Sequence, residues 1–475
     1  MKTAEQPCPV AVEDSDEKEN KKRGKKMLGA IWNFFKTGAN IAPITDPNEI
    51  KTKFNKMRWQ VFGSITIGYG LFYVLRLNFS VIKKQLLSQG VLDAQQLGIM
   101  GSALFITYGL GKFTNSFLAD RFNNKRFFAF GLFMSSIASV AMGFCNSFTP
   151  LVVLWGINGW FQSFGAGPCI VALNQWFTNK ERGTYYGIWF TSHNLGAAFT
   201  YVVTAVLVTS YSWQMGFIIP GLFCLVGSAI ILLCMHDRPE TNGLPNVEIL
   251  KGGVQPEQIK SDKTVAQLQW EVIKNPAVWI LGMSSLCCYI TRYAIESWGI
   301  IYLTAEKGYS TVGAGSVLGV MQIAGIFGAM TCGLVSDKFF NHKRNKPALI
   351  YGILYAVSVM LFLWAPPSFA MDMFSLSLYG WVMGALVCYL GGLMAVDIVP
   401  KRATGAAMGM IGLLSYAGAA IQETVSGYFI NANMTIVDGQ KIYDFTAAGN
   451  FWVGAAVLSF ILALFVWNAK PKEIV

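Results

Sequence analysis

Leu118-Ala119-Asp120-Arg121-Phe122-Asn123-Asn124-Lys125-Arg126 is a short charged stretch between two apolar runs, and the chain carries it twice. It returns as Val335-Ser336-Asp337-Lys338-Phe339, followed by Lys343-Arg344, with Asp337 lying 217 residues beyond Asp120. A second stretch doubles as well. Arg182-Gly183-Thr184-Tyr185-Tyr186-Gly187 is echoed by Ala403-Thr404-Gly405-Ala406-Ala407-Met408-Gly409, each with the Gly-x-x-x-Gly spacing that lets helices approach closely. Recurrence at matching places predicts two structurally related halves.

The runs around these stretches set the fold class. Apolar segments fall near 60–82, 97–119, 127–146, 150–177, 184–209, 213–235, 276–303, 311–335, 347–365, 371–399, 404–430 and 448–468. About 20 apolar residues cross a bilayer as a helix. Only 13% of the chain is charged, against about a quarter in soluble domains. The expectation is an all-α membrane protein, with twelve transmembrane helices in two pseudo-symmetric six-helix bundles. It divides into an N-terminal segment (1–58), a first bundle (59–236), a linker (237–275), and a second bundle with a short tail (276–475).

Charge placement orients the chain. Loops after runs two, four, eight and ten carry Arg121/Lys125/Arg126, Lys180/Arg182, Lys338/Lys343/Arg344/Lys346 and Lys401/Arg402, whereas the opposite loops hold only Lys83/Lys84, Lys307 and Lys441. Basic loops stay cytoplasmic, so both termini and the linker are expected there, in a plasma (inner) membrane. The net charge of +11 thus reads as topology, not as a nucleic-acid surface. No cleavable leader is visible at the start, and the first span is expected to insert by itself. Residues 1–26 read as disordered. Lys21-Lys22-Arg23-Gly24-Lys25-Lys26 before Ile31, Trp32, Phe34 and Phe35 reads either as an amphipathic helix on an anionic leaflet or as a plain positive-inside signal. The cysteines lie scattered through apolar runs with no metal-ligand spacing, and neither metal nor cofactor is expected.

Two arginines inside spans carry the chemistry. Tyr73-Val74-Leu75-Arg76 and Tyr289-Ile290-Thr291-Arg292 share Tyr-x-x-Arg, and the arginines lie 216 residues apart, close to the loop offset. The pair therefore occupies equivalent helices and is expected to face one cavity. An arginine in a membrane costs at least about 2.5–3.5 kcal/mol, so it seeks a cavity or a partner. Its fork of donors matches phosphate oxygens. Snorkelling of Arg76 toward headgroups is the competing reading. Lys112 is either a third cavity cation or an interfacial snorkel. His193 either adds a switchable donor or makes a helix–helix hydrogen bond. Tyr69, Tyr73, Tyr108 and Tyr289 either bond substrate or pack. Glu296, one turn after Arg292, is expected to pair with it in an empty site. Asp120, Arg121 and Asp337 are expected as gate contacts, with solvated loop charge as the alternative. Glu423 reads as a coupling carboxylate or as a structural partner to a neighbouring helix.

These features resemble the major facilitator superfamily and, within it, the organophosphate:phosphate antiporter family. The likeness rests on Gly68-Tyr69, Phe72-Tyr73-Val74-Leu75-Arg76-Leu77-Asn78-Phe79, Ile106-Thr107-Tyr108-Gly109-Leu110-Gly111-Lys112-Phe113, Gly159-Trp160-Phe161-Gln162, Lys180-Glu181-Arg182-Gly183, His193-Asn194-Leu195-Gly196, Asp237-Arg238-Pro239-Glu240, Gly243-Leu244-Pro245, and Tyr289 through Trp298. The resemblance implies a monomeric, non-enzymatic secondary transporter exchanging a sugar phosphate for inorganic phosphate by alternating access. Arg76 and Arg292 would be its phosphate ligands, and Lys112 and His193 cavity residues nearby. Leu154-Trp155-Gly156-Ile157-Asn158 and Val91-Leu92 are closer to the hexose-phosphate branch, so glucose 6-phosphate is the expected substrate. That branch includes a membrane sensor of external glucose 6-phosphate, which would signal to a membrane kinase. A glycerol-3-phosphate:phosphate antiporter and a proton symporter using Glu296, Glu423 or His193 are further alternatives. Departures from the family pattern at Leu77, Ala385-Leu386-Val387, Met408 and Ile411 leave the organic substrate open.

Overall fold

The first helix begins where the sequence supplies its cap. Asp46 accepts a hydrogen bond from the Asn48 amide at 3.0 Å, and Pro47 fills the first helical position. Asn275-Pro276 repeats the device at the head of the second half, with the Asn275 side chain on the Ala277 amide at 3.0 Å. The computed structural model describes residues 29, 32–119, 122–250, 265–340, 344–390, 394, 398–399, 404–438 and 440–466. Its first half holds α1 (Pro47–Ser88), α2 (Ala94–Ala119), α3 (Asn124–Met142), α4 (Phe148–Gln162), α5 (Ala166–Trp176), α6 (Asn179–Ser210) and α7 (Met215–Cys234). A linker helix, α8 (Val265–Lys274), leads into α9 (Pro276–Ala305), α10 (Thr311–Phe339), α11 (Asn345–Trp364), α12 (Phe369–Cys388), α13 (Thr404–Ala432) and α14 (Thr446–Leu464).

Together α4 and α5 make the fourth span, broken at Ser163–Gly165, so the helices give twelve spans, six in each half. Among the described residues, eight helices are long and apolar enough to cross a membrane. The spans outside that set are the broken α4/α5 and α2, α6 and α13, which carry Lys112, His193-Asn194 and Gln422-Glu423. Polar residues in these spans need a protein environment, and the packing supplies it.

Two seams join the halves: α2 packs along α13, and α6 along α10. In span numbers these are two with eleven and five with eight, which a six-span offset interchanges. The seams are tight away from the basic loops. A Cβ at Gly98 would collide with the Glu423 carbonyl, and one at Gly315 would lie 2.6 Å from the Tyr201 carbonyl. Toward the basic loops the same faces separate. Gly183 and Gly187 lie on the α6 face that carries Asn194, Ala198 and Tyr201, yet among the described residues nothing stands within 4 Å of a Cβ at either. Gly409 continues the α13 face of Tyr416 and Glu423 and is equally open. Among the described residues, the close approach expected of the repeated glycines is therefore not made at Gly183, Gly187 or Gly409 in this conformation. The halves form a V that opens toward the basic end.

Two further segments tie the basic end together. Phe35 is buried with Ala119, Phe122, Phe127 and Phe164, while Trp32 and Phe34 stay half exposed. The Phe35 carbonyl accepts from the Asn123 amide at 2.7 Å. Asp237, the first linker residue, accepts from the Asn124 amide at 3.0 Å, and its carbonyl takes the Trp176 indole at 2.7 Å. Burial raises the Asp237 carboxyl above its usual range, opposed by the Asn124 amide and the charge of Arg238.

Candidate functional site

Helical spacing puts Tyr69, Tyr73, Arg76, Ser80 and Lys83 on one face of α1. Arg76 is 4% exposed, which excludes snorkelling. Its guanidinium lies 4.2 Å from the Tyr108 ring centre and 4.8 Å from that of Tyr73. Nη2 donates to Gln162 Oε1 at 3.3 Å. Nε and Nη1 are buried and have no partner among the described residues. An orphaned, permanently charged edge is costly unless an anion can occupy it.

The equivalent helix supplies Arg292, also 4% exposed. Its Nε donates to Glu296 Oε1 at 3.2 Å, which also takes Gln322 Nε2 at 3.4 Å. Glu296, one turn after Arg292, is thus its ion-pair partner. The guanidinium sits 5.3 Å from the ring centres of both Tyr289 and Tyr293. Aromatic rings connect the two arginines: Tyr108 meets Tyr416 at 4.5 Å, and Tyr416 meets Tyr289 at 5.7 Å and Tyr293 at 6.3 Å. One small cavity is lined by Arg76, Tyr293 and Glu296, and another by Arg292 and His193. Tyr73 and His193 each lie within electrostatic reach of both arginines.

The remaining expectations resolve unevenly. His193 is buried beside Tyr69 and Tyr73, and its Nδ1 bonds the Phe190 carbonyl of its own helix rather than another helix. Tyr69 packs on Trp189 at 4.8 Å. Lys112 is part-buried with Nζ 5.2 Å from the Tyr416 ring centre. Asp120 and Arg121 lie outside the described residues, as does the side chain of Asp337.

Glu423 has a partner that the apolar runs concealed. Lys83 is not a loop residue, because α1 continues to Ser88 and leaves this ammonium fully buried. Its Nζ meets Glu423 Oε2 at 2.7 Å and Ser297 Oγ at 2.5 Å. Lys84 donates to Thr311 Oγ1 at 2.8 Å, and Lys307 pairs with buried Asp372.

Gln162, Tyr293 and Tyr416 were not named as site residues from the sequence, although Gln162 and Tyr293 lie in stretches that carry the family likeness. A polar residue inside an apolar run was the available signal for Gln162. Its amide is held by Ser135, which accepts from Nε2 at 2.9 Å, and this turns Oε1 toward Arg76. For an anion held at Arg76, Gln162→Leu should weaken binding about 10-fold, the scale of one lost hydrogen bond to a charged group. Titration of the purified protein with inorganic phosphate checks this, and an unchanged affinity removes Gln162 from the site.

A twelve-span protein whose halves enclose two buried arginines is built as a transporter, not as an enzyme. Residues 62–422 match the model of the Major Facilitator Superfamily. The chain is 30% identical to the "Probable hexose phosphate transport protein" of Chlamydia trachomatis, across 94% of this chain and 98% of that protein. It is 31% identical to the "Membrane sensor protein UhpC" of Salmonella typhimurium, across 93% and 99% respectively. Among solved structures it resembles an inward-facing, unoccupied bacterial homologue of the human lysosomal transporter Spinster. The TM-score is 0.69 at 17% identity, over 87% of this chain and 97% of that one. The chain belongs to the major facilitator superfamily and, within it, to the organophosphate:phosphate antiporter family. It is an integral, multi-pass membrane protein.

Proposed function

We propose that this protein exchanges a hexose 6-phosphate such as glucose 6-phosphate for inorganic phosphate by alternating access, with its basic loops and both termini in the cytoplasm of a plasma (inner) membrane. The carrying observation is the pair of unpartnered nitrogens on buried Arg76, across the tyrosine cluster from Arg292. A phosphate dianion placed between them takes free donors of Arg76 and competes with Glu296 for Arg292. Arg292 is already paired with Glu296, so neutralising the uncompensated guanidinium of Arg76 is what lowers the cost of moving the site through a dry, closed state. The two bundles then rock about the bound anion, and the V opens on the other side. Exchange needs no cofactor, because a phosphate gradient drives uptake of the organic phosphate.

Counterflow tests the reading. Proteoliposomes preloaded with phosphate should accumulate labelled phosphate and release it to external glucose 6-phosphate faster than to glycerol 3-phosphate. A reversed order would move the substrate to the glycerol phosphate class. The similarity to a protein named as a membrane sensor supports a second reading, in which external glucose 6-phosphate binds without rapid exchange. Saturable binding with no counterflow would establish it.

A further inference from the structure

Lys83 lies two helical turns from Arg76 on the same face of α1, with Ser80 between them. It is fully buried. Every group that holds it through a hydrogen bond belongs to the other half: Glu423 of α13 at 2.7 Å and Ser297 of α9 at 2.5 Å. The Trp298 ring of α9 lies 4.1 Å from the ammonium, and Phe79 of its own helix 5.0 Å. Trp298 Nε1 donates to the same Glu423 oxygen at 3.0 Å. A small cavity lined by Arg76, Ser80, Ser297 and Glu423 links this cluster to the arginine site.

We propose that Lys83 is a second anion-binding station, lying on the external approach to Arg76 and masked in this conformation by Glu423. The inference rests on the orientation and exchange reading above. For an anion to reach the arginines from outside, α1 and α2 must part from α9 and α13. Glu423 and Ser297 leave with their own half, while Lys83 stays in line with Arg76. The exposed ammonium is then a compact cation without its carboxylate, placed before the arginines on the path of an incoming phosphate group. An ammonium suits transient capture, because it offers point charge without the bidentate fork that holds phosphate at an arginine. As the halves close, Glu423 returns and displaces the anion inward. Inorganic phosphate and a phosphate monoester present the same dianion here.

The test compares the two membrane faces, using labelled inorganic phosphate on intact cells and on inside-out vesicles. Lys83→Met should raise the half-saturating concentration at the external face by about 10-fold and leave the internal value within about twofold. Lys83→Arg should restore the external value, and Glu423→Gln, which unmasks the ammonium, should lower it. If Lys83 served only as a latch, Lys83→Met and Glu423→Gln would move the external value in the same direction. That result, or an unchanged external value in Lys83→Met, overturns the proposal. Should the single variant fail to insert, the neutral pair Lys83→Met/Glu423→Gln carries the same expectation of weakened external affinity. Loss of exchange in Arg76→Lys beside an unaffected Lys83→Met sinks this inference and leaves the transport reading standing. Wild type that binds phosphate without exchanging it sinks the transport reading instead, and external phosphate binding to the same variants then decides on Lys83.

Discussion

If the proposed exchange runs through the arginine pair, Arg76→Lys and Arg292→Lys should each lower phosphate exchange in proteoliposomes about 100-fold or more, the scale of one or two lost charge-assisted hydrogen bonds at about 1.5–3 kcal/mol each. Both substitutions keep one positive charge, so a site needing only charge would tolerate them. The geometry demands more. Arg76 keeps Nε and Nη1 buried and free, while Nη2 spends one of its two hydrogens on Gln162. The second Nη2 hydrogen, with that of Nε or Nη1 beside it, can hold two phosphate oxygens at once, whereas an ammonium offers a single centre with less directional control. Lysine is also shorter of donors for the groups left behind. At position 292 it leaves Glu296 with the Gln322 amide as its remaining donor at Oε1, and Oε2 already has no partner among the described residues. A buried lysine can further escape the desolvation cost by losing its proton, an exit closed to arginine. Variants that retain normal surface expression and exchange within about threefold of wild type (about 0.7 kcal/mol) would remove the arginine pair from the mechanism.

How much of this was legible beforehand depended on whether a signal was local. The spans were legible because apolar runs of bilayer length are contiguous in sequence, and the arginines because duplication placed them at a nearly constant offset. Glu296 was legible because a helical turn brings it to Arg292. Lys83 was not. It directly follows an apolar run, where a cation reads as a headgroup contact, and its partner Glu423 lies 340 residues away. Only the seam between halves brings them together. Tyr293 hid in the same manner, since one tyrosine among many has no distinguishing periodicity, although it directly follows Arg292. The repeated glycines show the converse case. Their spacing correctly marks faces that can approach closely, but spacing does not specify which end of the faces is closed in a given conformation.

That last point yields an opposed pair of expected results. Gly98→Ala introduces a Cβ against the backbone carbonyl of Glu423, and backbone cannot turn aside as a side chain can. Overpacking costs about 1–3 kcal/mol, so it should shift the ratio of conformers about 5- to 150-fold away from the V seen here. Gly187→Val and Gly409→Val meet no neighbour among the described residues in this conformation and should leave it intact while obstructing closure of the basic end. Spin labels at exposed Gln95 and Asn433 report the tight end, and labels at exposed Thr184 and Lys338 report the basic end, in a background whose cysteines are replaced. With Gly98→Ala, the first distance should lengthen and the second shorten. With the valine variants, both distances should stay at the values of this conformation even when phosphate is added, and exchange should slow because the cycle cannot complete. If Gly98→Ala left both distances unchanged, the α2–α13 seam would not be a moving part. The rocking of two rigid halves would then have to be replaced by a more local opening around the arginines.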